Sequence, residues 1–363
     1  MKKAYIASLI LVSALFLIFS ATGSGVAAEY TLKLHYEMAT TAPLPTYGFE
    51  PWARDLEKIT NGKVKVDIYP GDTLFKTKTD AVEGIKAGIA DIAFMFAWAF
   101  SPQFDLTDVL GVPFIAPNSE VASRATWEVF QKFPEMQKQW EDVKLLAVWT
   151  TDPYVFITKD KQIKNLEDFK GMKMRMTGGS ATDMMKLLGG VPMTVPMPQV
   201  YENLQKGVID GMASPAEAIL GFRFYEVVKY YTMVPSTLVT QELIMNWNSW
   251  NRLSKDIQDA IDSIGGDNAA IRFGGGCFDR AWTLLPDRVK EANRPMISYT
   301  PPKEEKDRWI QQAGKPLWEK WIKDMESKGY KNARAIQEEA IKVVDKLSQG
   351  KIDNWKEMFP FPK

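Results

Sequence analysis

The chain has 363 residues, 45 basic and 45 acidic side chains, 45 % apolar residues and one cysteine. A net charge of zero without a dense basic stripe argues against a nucleic-acid surface. With Cys277 as its one thiol the chain can form no intramolecular disulfide, so the fold must rest on its apolar core.

The first residues read as an export signal. Lys2 and Lys3 precede an apolar run over 4–20, and Val26-Ala27-Ala28 offers small residues before Glu29. Residues 1–28 are therefore expected to be a cleaved signal peptide, which would place the protein in the periplasm. No cysteine follows the apolar run, so a lipoprotein anchor is not expected, and no later run is long and apolar enough to span a bilayer. The remaining roughly 335 residues suggest two domains at ordinary domain sizes.

Residues 30–36 alternate Leu32 and Leu34 with Lys33, as a first strand would. Residues 40–46 form a loop. Over 47–60, Phe49, Trp52, Ala53, Leu56 and Ile59 fall on one helical stripe, and Asn61-Gly62 stops it. Val64, Val66 and Ile68 mark a second strand, 78–87 a helix closed by Gly88, and 91–97 a short buried strand. Strands alternating with helices give a doubly wound α/β pattern. A helix over 119–139 and a strand over 143–149 continue it.

The stretch 164–215 carries the strongest local signals. Asn165 and Asp168 can cap a turn. Met172, Met174 and Met176 alternate with Lys173 and Arg175, a two-faced strand. Arg175 lies near its end, just before Thr177-Gly-Gly-Ser180. Ligands of open α/β sheets gather at the carboxyl ends of strands, and a guanidinium fork suits a carboxylate there. On spacing alone, a surface arginine on the polar face of an edge strand is the commoner reading of Arg175. Ser180 is expected to cap a helix over 181–188. A short strand over 193–195 leads to a helix opened by Pro198 and closed by Gly207. Ser214-Pro215-Ala216-Glu217 reads as a capping box opening a helix to about residue 225, and strands are expected over 227–234 and 238–246.

The last third is helical. Gly274-Gly-Gly276 is expected to break or kink a long helix, and Gly314 with Pro316 to split 307–325. A helix over 333–347 and a loose tail over 352–363 end the chain. One echo stands out: Lys86–Asp91 and Gln205–Asp210 both run helix end, glycine, apolar residue, aspartate at a strand start. Two similar α/β lobes would explain it; so would the frequency of such junctions.

Little in the sequence offers catalysis. His35 is the single histidine, and Cys277 has no second thiol for zinc. No Gly-x-Ser-x-Gly or Walker sequence occurs. Glu141-Asp142 and Glu167-Asp168 sit in polar turns, as solvated charges and caps do. No cofactor or metal is called for. What remains is aromatic weight at two strand ends: Phe94, Phe96 and Trp98, then Trp149, Tyr154 and Phe156. Such residues usually fill cores, but together they can also wall a cleft with few oriented polar groups.

In combination and in order, Gly62-Lys-Val-Lys-Val-Asp-Ile-Tyr-Pro70, Leu110-Gly-Val-Pro-Phe114, Leu166 through Arg175, Gly190 through Met197, and Tyr201 through Gly211 make the chain resemble the periplasmic solute-binding proteins of TRAP transporters, the DctP-type family. The resemblance implies a two-domain α/β periplasmic binding protein (class II-like), with domain-crossing connections, a helical C-terminal region and a hinged ligand cleft. It divides the chain into 29–152 with 239–276 and 153–238 with 277–363. It implies delivery of an organic acid to a permease of small and large membrane subunits, without catalysis. Arg175 matches the arginine that grips the solute carboxylate. Tyr154 stands where many members have a second arginine, Phe96 where sialic-acid-type members have a carboxylate, and Ser214 where an asparagine is frequent. These departures favour a monocarboxylate with an apolar or aromatic body, among Phe96, Trp98, Trp149 and Tyr154, over a dicarboxylate or sugar acid. Glu37 maps near the pocket and can accept a hydrogen bond from the ligand. A small hydroxy- or keto-acid, or a dicarboxylate, remains the alternative ligand, and a ligand-presenting partner of a membrane sensor the alternative role. An exported enzyme acting on an organic acid would need an acid or base that the sequence does not supply.

Overall fold

The computed structural model describes residues 28–38, 40–75, 80–97 and 103–359. All but the last residue of the expected signal peptide lies outside these, as does Trp98. The strands are β1 (Tyr30–Tyr36), β2 (Val64–Pro70), β3 (Ile92–Met95), β4 (Lys144–Thr150), β5 (Val155–Thr158), β6 (Lys173–Arg175), β7 (Val191–Met193), β8 (Gly211–Ser214), β9 (Tyr230–Thr232), β10 (Thr240–Met245) and β11 (Ile297–Tyr299). They form two sheets, ordered β2-β1-β3-β10-β4 and β11-β9-β5-β8-β6-β7.

The two sheets share one plan. In the first, β2, β1 and β3 are parallel, and β10 enters antiparallel between β3 and β4. In the second, β7, β6 and β8 are parallel, and β5 enters antiparallel between β8 and β9. The sequence echo lies at the equivalent place in each. The amide of Lys33 donates to Asp91 Oδ2 at 2.7 Å, and the amide of Lys173 donates to Asp210 Oδ2 at 2.7 Å. In return the Asp91 amide donates to the Lys33 carbonyl and the Asp210 amide to the Lys173 carbonyl. Each aspartate thus stitches a helix–glycine–strand junction to the neighbouring parallel strand.

Because β10 belongs to the first sheet and β5 and β11 to the second, the chain crosses between the sheets after β4, returns after β9 and crosses again between β10 and β11. The first two crossings run side by side. Thr151 donates its amide to the Val239 carbonyl at 2.9 Å, Tyr154 to the Thr237 carbonyl at 2.7 Å, and Ser236 to the Tyr154 carbonyl at 2.9 Å. Separate apolar clusters flank each sheet: Leu32, Trp52, Phe94, Trp149 and Phe273 on one, Phe156, Phe169, Met174, Met184 and Trp309 on the other. Among the described residues no helix is long and apolar enough to cross a membrane.

Several expectations need correction. Gly274–Gly276 does not break its helix. The segment Ala270–Asp279 winds as a π-helix joined directly to the helix Arg280–Glu291, and both ends of it keep right-handed helical backbone. The glycines serve close approach. A Cβ on Gly274 would stand 2.4 Å from Ser123 Oγ, on the helix Ser119–Lys132, too near for any side chain. Gly314 and Pro316 likewise leave a continuous path: Ile310–Gly314 is π-helical and joins directly to Lys315–Ser327, whose second residue is Pro316. The tail is not loose up to residue 359. Trp355 is buried, and Glu120 accepts from the Asn354 and Trp355 amides. The terminal helix Ala333–Ser348 packs beside Ser119–Lys132.

Candidate functional site

A cavity of about 1230 Å³ lies between the sheets, at the carboxyl ends of β1, β3, β6 and β8. Its walls come from the segments that leave these strands: Glu37 after β1, Phe96 and Ala97 after β3, Thr177–Ala181 after β6, and Pro215 and Glu217 after β8. The crossings add Thr151, Tyr154 and Thr237, β10 adds Gln241, and the C-terminal helix Lys315–Ser327 adds Leu317 and Trp321. Both sheets and the segments that join them therefore contribute, as a cleft that closes about a hinge requires.

Arg175 is only 9 % exposed, and β6 lies between β8 and β7, so it is not a surface arginine of an edge strand. Met172, Met174 and Met176 go into the core and leave Arg175 on the cleft side. Its Nε donates to the Val195 carbonyl at 3.2 Å, which fixes the plane of the fork. Its Nη1 has no partner among the described residues. Burial lowers its pKa and the nearby Tyr154 phenol raises it, but a guanidinium does not lose its proton in a protein. A buried cation with an unused donor, facing a cavity, is a strong carboxylate site.

Tyr154 is buried where the crossings meet and lines the cavity. Burial pushes its phenol pKa well up, and the hydroxyl is held by Thr151. Phe96 also lines the cavity, edge-on to Phe94 with centroids 4.8 Å apart. Glu37 lines the cavity as well, after β1, the parallel neighbour of β3.

Trp149 and Ser214 do not reach the cavity, against expectation. Trp149 is fully buried one layer behind, stacked on Phe273 at 4.4 Å, because its side chain leaves β4 on the core face. Its Nε1 donates to Gln241 Oε1 at 2.8 Å, which fixes an amide that does line the cavity. Ser214 is the last residue of β8 and fully buried; its hydroxyl donates to the Pro215 carbonyl at 3.2 Å. The helix Ala216–Gly221 is capped from a distance instead: Asp152 Oδ2 accepts from the Ala216 amide at 2.9 Å and from Trp282 Nε1 at 2.7 Å.

Sequence reasoning missed most of the polar wall. Asp108 accepts from the Thr240 hydroxyl at 2.9 Å, and burial pushes its pKa up to about 6. Burial alone pushes Glu217 up to about 7. Glu242, buried below the cavity floor, accepts from the Ala97 amide at 2.7 Å and is raised well above the usual carboxylate range by burial. Burial disfavours the charged form of each, so the cleft repels an anion less than a row of ordinary carboxylates would. Glu217 follows β8, a placement the sequence could have flagged, whereas Asp108 lies within the helical segment Asp105–Gly111 and Glu242 within β10; the depth of all three could not be read there. Among the described residues no group of acidic, histidine or cysteine side chains is arranged to hold a metal ion.

Residues 37–324 match the family "Bacterial extracellular solute-binding protein, family 7" (DctP). The outer membrane transporter protein TsaT of Comamonas testosteroni is 25 % identical over 313 residues, 85 % of this chain and 90 % of that protein. The crystal structure of a TRAP solute binding protein from Rhodoferax ferrireducens T118, in complex with copurified benzoate, superposes with a TM-score of 0.78 at 27 % identity, over 88 % of this chain and 98 % of that one. A marine metagenome TRAP solute binding protein specific for aromatic acid ligands, with 3-hydroxybenzoate bound, gives a TM-score of 0.78 at 26 % identity, over 88 % and 99 %. With its two similarly built sheets, repeated crossings and cleft between them, the chain belongs to the family 7 extracellular solute-binding proteins, the solute receptors of TRAP transporters.

Proposed function

We propose that this receptor binds an aromatic or otherwise apolar monocarboxylate in its cleft, with the carboxylate on Arg175, and delivers it in the periplasm to the small and large membrane subunits of a TRAP permease. The observation that carries this reading is the buried Nη1 of Arg175, unpaired among the described residues, on a side chain that lines the cavity. Charge count supports a single carboxylate. The described lining residues hold two cations, Arg175 and Lys320, and Lys320 is engaged by Asp324 at 2.6 Å. A dicarboxylate would leave its second charge in a low-dielectric site without a partner, which is costly. Phe96, Tyr154 and Phe222 offer faces for an apolar body. The benzoate and 3-hydroxybenzoate carried by the two superposed receptors are ligands of this class.

Binding is closure rather than catalysis. The half built on 29–152 with 239–276, against which Ala333–Ser348 and Trp355 pack, and the half built on 153–238 with the residues around β11 move about the crossings at Thr151–Tyr154 and Ser236–Val239, and closure removes water from the Arg175–carboxylate pair. The first 28 residues serve as the export signal. Calorimetric titration of the purified protein with benzoate, phenylacetate, succinate and malate tests the reading: the aromatic monocarboxylates should bind and the dicarboxylates should not. Preference for a dicarboxylate would overturn it.

A further inference from the structure

The cleft holds one feature that neither the Arg175 clamp nor the aromatic walls uses. Six carboxyl side chains line it among the described residues, and five are engaged. Asp183 faces Lys186 at 3.7 Å, Asp324 pairs with Lys320 and Asp105 with Lys328. Asp108 holds the Thr240 hydroxyl, and Glu37 has an interaction of its own. Glu217 is the sixth. No hydrogen bond or ion pair within the described chain engages it, and burial is the one influence on its titration.

Its position is fixed although its carboxyl is free. Asp152 binds the preceding amide, Ala216, and ties it to Trp282 on the helix Arg280–Glu291. Glu217 therefore stands on a clamped helix start. It is electrostatically close to Tyr154, and Tyr154 in turn to Arg175. A ligand whose carboxylate sits on Arg175 and whose ring lies along Tyr154 meets Glu217 next.

Resting on the monocarboxylate reading, we propose that Glu217 is a specificity-determining residue that selects aromatic acids bearing a ring hydroxyl, which donates a hydrogen bond to a Glu217 carboxyl oxygen. Chemistry favours a hydroxyl over an ammonium group. The charged form of Glu217 is disfavoured by burial, so a neutral donor suits it better than a cation that would need the full carboxylate charge. An unused acceptor in a buried wall also discriminates well: a hydroxylated ligand satisfies it, whereas the unsubstituted acid covers it and leaves it dry.

The test is a set of calorimetric titrations of the wild-type protein and the Glu217→Gln, Glu217→Leu and Arg175→Met variants. The ligands are benzoate, the three hydroxybenzoates, the matching fluorobenzoates, and 3-(aminomethyl)benzoate as the ammonium probe. At least one hydroxybenzoate should bind the wild type about tenfold or more tighter than benzoate and than the fluorobenzoate of the same substitution pattern. Glu217→Leu should lose that preference, with the hydroxybenzoate weakened and benzoate, which no longer covers an unsatisfied carboxyl, bound more tightly than by the wild type, and Glu217→Gln, whose amide oxygen still accepts, should keep most of it. Equal weakening of all acids in Glu217→Leu, no hydroxyl preference in the wild type, or tightest binding of the ammonium probe would each overturn the proposal. The comparison of wild-type ligands keeps it falsifiable if the leucine variant does not fold. Arg175→Met separates the two readings: benzoate binding that survives this change refutes the carboxylate clamp, whatever the hydroxyl ranking.

Discussion

Replacing Arg175 by methionine should raise the stability of the ligand-free protein and nearly abolish binding. Arg175 is 9 % exposed, spends one nitrogen on the Val195 carbonyl and leaves Nη1 without a partner. A buried unsatisfied donor costs about 1–3 kcal/mol, more when charged, and the lost bond to Val195 returns about 1 kcal/mol of that. The net expectation is a gain of up to about 2 kcal/mol without ligand, or a Tm several degrees higher. Binding moves the other way. Removing one partner of a buried, hydrogen-bonded charge pair costs about 2–5 kcal/mol, roughly 30- to 5,000-fold in Kd. Thermal unfolding with and without benzoate, followed by calorimetry, reads both effects: the wild type should be the less stable protein alone and the more stable one with ligand. A Kd within about threefold of wild type would refute the clamp. A ligand-free variant several kcal/mol less stable would mean that Arg175 serves to hold the segment at Val195 rather than a solute.

Trp149→Ala should lower stability by about 3–5 kcal/mol through the cavity it leaves against Phe273 and Phe94, with ligand ranking unchanged in the folded fraction, as denaturant titration and calorimetry would show. Gly274→Ala should cost about 1–3 kcal/mol, because its Cβ would press on Ser123 Oγ and Ser119 Oγ at 2.4 and 2.9 Å; an unchanged denaturation midpoint would contradict the close-packing account. Glu217→Gln should leave stability near pH 4.5 unchanged and raise it at pH 8. The folded protein holds a proton on Glu217 up to about pH 7, whereas the unfolded chain releases it near pH 4.5, so ionisation costs the folded state progressively between those values and in full above them. The gain is bounded at about 3 kcal/mol; equal Tm values for the two proteins at pH 8 would contradict the buried-carboxyl assignment.

The sheets were legible because alternation is a local property: Leu32 and Leu34, Val64 and Val66, and Met172, Met174 and Met176 each announce a face that the structure buries. The echo ending in Asp91 and Asp210 was legible as a pattern, but its reason, an aspartate bonded across to the neighbouring strand, depends on pairing no local rule predicts. The helix errors share a cause. Gly274–Gly276 and Gly314 look like breakers because glycine weakens helices; here the π-helical turns keep the path, and small residues admit a neighbour. Ser214 failed as a cap because Asp152, far away in sequence, takes the amide first. Arg175 was legible as a candidate from its place at a strand end together with the family resemblance, whereas Glu217 was visible only as a helix-start residue. Trp149 shows the limit of reading aromatics: one residue's difference in strand phase separates a cleft wall from the layer behind it.

The central claim is that the cleft is built around one carboxylate and an apolar body. Mass spectrometry of small molecules released when the purified protein is denatured tests it most directly. The account predicts an aromatic or branched monocarboxylate, present in the wild type and absent from Arg175→Met. A dicarboxylate or sugar acid in the released fraction would contradict it.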